Sequence, residues 1–194
     1  MNRKSIARVS RWLHIYLSMI SFVIVLFFSV TGLTLNHADF FQADPITKEA
    51  KGNFDSAWTN QSDTNRIRKL EMVEVFRITH GVRGSLADYR IDDNEISFSF
   101  KAPSYEATAF VDRATGEYNL SQTSQGAMAF FNDLHKGRDT GKAWLWVIDI
   151  SAILMTIISL TGLVLLLFIK RKRWIGLLLL LIGLLVVVGI YWWS

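Results

Sequence analysis

Three stretches of the chain are continuous in their hydrophobicity: Trp12–Leu35, Ala143–Ile169 and Trp174–Trp193. The first carries no charge and would rise ~36 Å as a helix, more than the ~30 Å of hydrocarbon in a bilayer. These runs predict transmembrane helices over 12–37, 143–169 and 174–194. The intervening segment, 38–142, has a different rhythm. Leu86–Ile91, Glu95–Lys101 and Glu106–Asp112 alternate or are rich in β-formers, and Tyr118–Leu120 adds a short strand. Asp92-Asp93-Asn94 and Arg113-Ala114-Thr115-Gly116 are turn signals. Asp63 or Thr64 predicts the cap of a helix running to about Thr79, with Ile67, Leu70, Val73 and Phe76 on one face and Gly81 past its end. Ala38–Gln61 shows no clear period and reads as a linker with short local structure, while Gly126–Leu134 reads as a helix leading into the second span. The predicted fold class is an α-helical membrane protein with three transmembrane helices plus a small α+β domain.

Charge then orients these elements. Arg3, Lys4, Arg8 and Arg11 precede the first span, and Lys170-Arg171-Lys172-Arg173 separates the second from the third. Basic residues beside spans mark the cytoplasmic side. Residues 1–11 and 170–173 are therefore expected inside and 38–142 outside, which in a Gram-negative cell is the periplasm. Tyr191-Trp192-Trp193 suits the membrane interface. The net charge of +4 is accounted for by topology and implies no nucleic-acid partner. A cleaved signal peptide has an apolar core of roughly 7–15 residues and a small-x-small cleavage site; the first run is longer and no such site follows Leu35, so it reads as a retained helix.

Candidate chemistry is sparse. The absence of cysteine excludes disulfides, iron–sulfur clusters and covalently attached c-type haem. No G-x-G-x-x-G follows a strand, and nothing resembles a Ser-His-Asp triad or a zinc-protease motif. The four histidines are His14, His37, His80 and His135. His14 and His37 would lie ~34 Å apart on one helix, too far to share an iron. His37 and His135 both fall at outer span ends, where two imidazoles can ligate a non-covalent haem or act as interfacial polar caps. Bis-imidazole ligation leaves iron no open position and favours electron transfer. His14 suits a second haem site, a quinol contact or solvation among Arg8, Arg11 and lipid phosphates; those arginines suit haem propionates and anionic headgroups equally. His80 ends the predicted soluble helix, where the macrodipole favours an imidazolium; binding iron is its second reading. Asp149 is the one charged residue inside a span, and such acids are functional candidates by default: a proton relay, a hydrogen bond to a ligand imidazole, a pair with Arg138 or Lys142, or a plain bond to Ser or Thr. Asp39, Asp44, Asp133 and Asp139 form no convincing iron cage and read as solvated surface. Ser29-Val30-Thr31-Gly32-Leu33 is echoed by Ser159-Leu160-Thr161-Gly162-Leu163, either as small residues for close helix approach or by chance.

Arg11-Trp12-Leu13-His14, Thr31-Gly32-Leu33, Val111-Asp112-Arg113-Ala114-Thr115-Gly116-Glu117 and Leu134-His135-Lys136-Gly137, followed by Thr161-Gly162-Leu163 and the basic stop, resemble in order the PepSY-associated transmembrane family. The resemblance covers most of the chain. Some members of that family are inner-membrane haem proteins that reduce ferric iron or ferric siderophores on the periplasmic side. It therefore implies a PepSY-like outer domain, haem b held by membrane histidines (His37 and His135, with His14), and a bacterial inner-membrane, multi-pass ferric-iron reductase. Electrons would come from quinol or another donor and pass to ferric iron or a ferric chelate, with a separate ferrous iron transporter taking the product. Because the chain is shorter than the multi-span reductases, a homodimer is expected to complete the site. The alternative is a cofactor-free membrane adaptor whose outer domain binds a partner protein; a small-solute transporter ranks third, since three spans leave little room for a pathway.

Overall fold

A computed structural model describes residues 3–41 and 43–193. Met1, Asn2 and Ser194, which the expected N-terminal segment and third span include, lie outside them, as does Gln42. Three helices are long and apolar enough to cross a membrane: α1 (Arg3–Asn36), α6 (Lys142–Phe168) and α7 (Arg173–Trp193). Between α1 and α6 run α2 (Ala38–Phe41), β1 (Ile46–Asn53), α3 (Ser56–Thr59), a 3-10 turn (Thr64–Arg66), α4 (Lys69–His80), β2 (Ser85–Ile91), β3 (Glu95–Ala102), β4 (Tyr105–Asp112), β5 (Glu117–Ser124) and α5 (Gly126–Lys136). The chain divides into two compact units, one made of the residues up to Phe28 and from Trp146 onward, the other of Ser29–Leu145.

In the helical unit the helices meet through small and hydroxylic residues rather than large ones. Ser10, Ser21, Ser151 and Thr161 are its buried polar side chains, as expected where lipid supplies no hydrophobic drive between helices and close approach must hold them together. Ser18 and Ser151 return their hydroxyls to the carbonyls four residues back. A Cβ on Gly176 would meet the end of the Leu166 side chain, so Leu166 of α6 occupies the space the glycine leaves open. The turn between those helices closes on the Ile169 carbonyl, which accepts from Lys172 N and Arg173 N.

The second unit is a five-stranded antiparallel sheet in the order β1-β5-β4-β3-β2, with α4 over one face. Burial alternates along β3 and β4, so Ile96, Phe98 and Phe100 and then Tyr105, Ala107, Ala109 and Val111 point the same way. Large residues face small ones across the ladder: Phe98 pairs with Ala109 and Phe100 with Ala107. The gap above the alanines admits Phe76 of α4, which sits edge-on to Phe98, Phe54 and Tyr118 at 5.4, 5.4 and 5.2 Å. Such aromatic pairs contribute ~0.5–1.5 kcal/mol each beyond area burial. The β4–β5 turn is tied by the Asp112 carboxylate, which accepts from Ala114 N, Thr115 N and Thr115 Oγ1.

Four expectations change here. Ala38–Gln61 is not a linker: it contains the edge strand β1, eight residues paired with the whole of β5, and β5 itself is longer than Tyr118–Leu120. Asp63 caps only the 3-10 turn, accepting from Asn65 N, and the helix proper begins at Lys69. Of the expected face, Ile67, Val73 and Phe76 do pack on the core, joined by Met72, whereas Leu70 is 76% exposed. Gly81 ends α4 in the left-handed conformation, as its position predicts.

Candidate functional site

Each of the two Thr-Gly steps in the membrane helices holds an imidazole ring. In the helical unit, His14 on α1 lies against Thr161-Gly162 of α6. Its Nδ1 is 3.1 Å from the Ile158 carbonyl and 3.2 Å from Thr161 Oγ1. A carbonyl only accepts, so Nδ1 carries a proton and, in the neutral ring, Nε2 keeps its lone pair. Thr161 donates its own hydroxyl to the same carbonyl at 2.9 Å. The glycine is needed for space: a Cβ on Gly162 would stand 3.0 Å from His14 Cε1.

In the other unit the last turns of α1 receive α5. Thr31 and Thr34 are both buried, one turn apart on one face. Thr31 Oγ1 is 2.6 Å from His135 Nδ1, and Thr34 Oγ1 donates to Asn132 Oδ1 at 2.8 Å. Gly32 lies beneath the ring, with a Cβ position 3.6 Å from His135 Cε1. Burial, and after it the Lys136 ammonium, push His135 below the usual imidazole value, which favours the neutral ring. The helix that carries it is anchored at several points. Asp133, only 3% exposed, accepts from Ser104 N at 2.8 Å and pairs with Arg138 at 2.5 Å. Gly137 ends α5 in the left-handed conformation, and Trp144 Nε1 donates to the Leu134 carbonyl at 2.8 Å. Asp133, read from sequence as solvated surface, is instead the bolt between α5 and the β3–β4 turn.

The other candidates fall elsewhere. His37 is exposed in the turn after α1, with Nδ1 donating to the Leu33 carbonyl at 3.1 Å and its ring 6.4 Å from that of Phe40. It is thus held by Leu33, whereas His135 is held by Thr31. His80 is the last residue of α4 and bonds through Nε2 to the Tyr118 hydroxyl at 2.8 Å. Arg8 and Arg11 are exposed; Arg11 lines a cleft of about 360 Å³ with Arg3, Lys4, Lys170 and Arg173. Asp149 lies on the exposed side of α6, opposite buried Ser151. No group of three metal-ligating side chains clusters among the described residues, which is no obstacle to haem, whose iron needs one or two axial ligands. What the donor set shows is compatible with that role: His14 and His37 direct Nδ1–H to carbonyl oxygens and His135 sets Nδ1 against a hydroxyl, the outer hydrogen bond that orients an imidazole ligating through Nε2. Thr31, Thr161, Gly32 and Gly162 were not singled out as histidine partners from sequence; their signal was the repeated Ser-x-Thr-Gly-Leu.

Fold and site together define a three-helix membrane protein with a small sheet domain and two histidine seats on membrane helices. The family model described as PepSY_TM-like matches residues 8–193, and the chain belongs to that family. No curated protein and no solved structure matches it.

Proposed function

We propose that the chain is an inner-membrane electron carrier of the b-type haem class, delivering electrons to ferric iron or a ferric chelate on the side of the sheet domain. The observation that supports this reading is the pair of seats, each tying a histidine Nδ1 to oxygen while a glycine admits the ring. His14 and His135 would be the principal ligands, with His37, on the turn after α1, as a further one. Bound haem would supply one-electron chemistry; the protein sets its orientation, potential and access. Thr31 and Thr161 orient the rings, and Arg8 and Arg11 offer cations for propionates. The basic flanks support an N-terminus in the cytoplasm and a sheet domain in the periplasm. A quinol or another membrane donor would feed the inner end, a second copy of the chain would complete coordination, and a ferrous iron transporter would take the product.

The test is a visible spectrum of detergent-purified, haem-replete protein before and after dithionite. The reading expects a Soret band and sharp reduced α and β bands that are lost in His135→Ala or His14→Ala. Colourless protein from haem-replete cells would overturn it. One observation favours the rival reading of a cofactor-free adaptor: the same Nδ1 bonds also serve as packing contacts between elements. That reading expects the alanine variants to lose stability while an intact protein absorbs nothing beyond the aromatic band.

A further inference from the structure

The sheet face covered by α4 is longer than the helix. Twelve residues of helix rise ~18 Å, whereas eight-residue strands run ~27 Å. Past Gly81, the starts of β1 and β4 and the end of β5 are therefore left uncovered, at the register Ile46↔Ser124, Lys48↔Gln122 and Tyr105↔Ser124. A concavity of about 410 Å³ opens there, within the size range of small-molecule sites.

Its floor is fixed by a chain of hydrogen bonds. Arg83 N donates to the Tyr105 hydroxyl at 3.3 Å, Tyr105 donates to Gln122 Oε1 at 2.8 Å, and Gln122 Nε2 donates to the His80 carbonyl at 3.2 Å. His80 is in turn bonded through Nε2 to buried Tyr118. Onto this floor come cations without counter-ions. The Arg83 guanidinium carbon lies 4.8 Å over the Tyr105 ring, Lys48 and His80 also line the concavity, and no Asp or Glu does. Neither Lys48 nor Arg83 belongs to any ion pair among the described residues. The C-terminal end of α4 opposes an anion with about half a charge, but the Phe76, Arg77 and His80 carbonyls already accept from Val82 N, Gly81 N and Gln122 Nε2, and two full cations outweigh what is left.

We propose that this corner of the sheet domain binds a small organic polycarboxylate. A guanidinium stacked on an aromatic ring keeps its N–H fork for bidentate pairing with one carboxylate. Lys48 supplies a point charge for a second carboxylate, and Ser124 a hydroxyl for a third polar group. The site goes beyond the haem reading, to which it adds a place for an anionic chelate, and a colourless protein would bind just as well.

The test is calorimetric titration of the full-length, detergent-purified protein with citrate and, as a weakly chelating second probe, tricarballylate, at low ionic strength. Saturable 1:1 binding is expected. Arg83→Ala and Lys48→Ala should each weaken it tenfold or more, and Arg83→Lys several-fold because a point charge cannot fork. Lys51→Ala, on the opposite face of β1, should leave it unchanged. Absence of binding at millimolar probe would overturn the proposal, as would equal affinity for inorganic phosphate or indifference to both alanine substitutions. Near-ultraviolet circular dichroism of each variant verifies that exposed Lys48 and Arg83 were replaced without loss of packing.

Discussion

The two histidine seats differ in how tightly they close, and that difference can be measured with a single methyl group. At Gly162 a Cβ would meet His14 at 3.0 Å from Cε1 and 3.5 Å from Nδ1, whereas at Gly32 it would meet His135 Cε1 at 3.6 Å. The first separation requires the ring to give way by a few tenths of an ångström; the second is ordinary van der Waals contact. Overpacking of this kind costs ~1–3 kcal/mol. Displacing the ring also weakens Nδ1 bonds already at 3.1 and 3.2 Å, worth about 0.6 kcal/mol for a typical interhelical bond in a membrane. Replacing Gly by Ala favours the helix by up to ~1 kcal/mol at either position, so that term cancels in the comparison. Gly32→Ala should be neutral or stabilising, and Gly162→Ala less stable than it by about 1–3 kcal/mol. At roughly 2–4 °C per kcal/mol for a chain of this size, thermal unfolding in one detergent resolves the two. Adding His14→Ala to Gly162→Ala removes the obstructed ring and should recover most of the loss, a coupling that a double-mutant cycle isolates. Equal shifts for the two alanines, or a vanishing coupling, would refute the seat geometry.

Other consequences are simpler to state. Thr31→Val keeps the shape and deletes the hydroxyl opposite His135 Nδ1, so it should cost about 1 kcal/mol and Thr31→Ser should restore it; equal stability of Val and Ser variants would count against the bond. Asp133→Ala strands the partly buried Ser104 N–H and releases Arg138, a loss of about 1–3 kcal/mol that hydrogen exchange should localise to α5. Arg138→Ala, at an exposed partner, should cost less. The lowered His135 pKa fixes the sign of a pH effect: the native state binds fewer protons than the unfolded chain there, so the contribution is present above about 6.5, the unfolded value, and is lost as pH falls through the lower native value. Melting at pH 7.5 and 5.5 should therefore show a larger acid-induced drop in wild type than in His135→Gln, and an equal drop would contradict it.

Much of the architecture was legible because its signals are local. The three apolar runs and the alternation in β3 and β4 need no knowledge of partners, and Gly81 marked the end of α4. The misses share a cause, in that burial was decided by a distant segment. β1 carries Lys48, Glu49 and Lys51 on an exposed edge, so it has no apolar period and exists only because β5 offers a ladder. Ile67, Val73 and Phe76 of the expected stripe do meet the core, but Leu70, in the first turn of α4, points away from it and Met72 takes the inward position. An aspartate reads as surface until a backbone amide such as Ser104 N is found waiting for it. The Thr-Gly repeat was visible as a pattern, yet the repeat alone does not reveal that histidines fill both copies.

Proteins confined to a bilayer meet one another in two dimensions, where attached domains can reach millimolar effective concentrations. Open strand edges under such crowding invite runaway pairing between neighbours. Here one rim of the sheet carries Lys48, Glu49 and Lys51, and the other Asp88 and Arg90 beside a register break at Leu86/Asp88. Those charges and that kink let many copies share a patch of membrane without polymerising through their sheets.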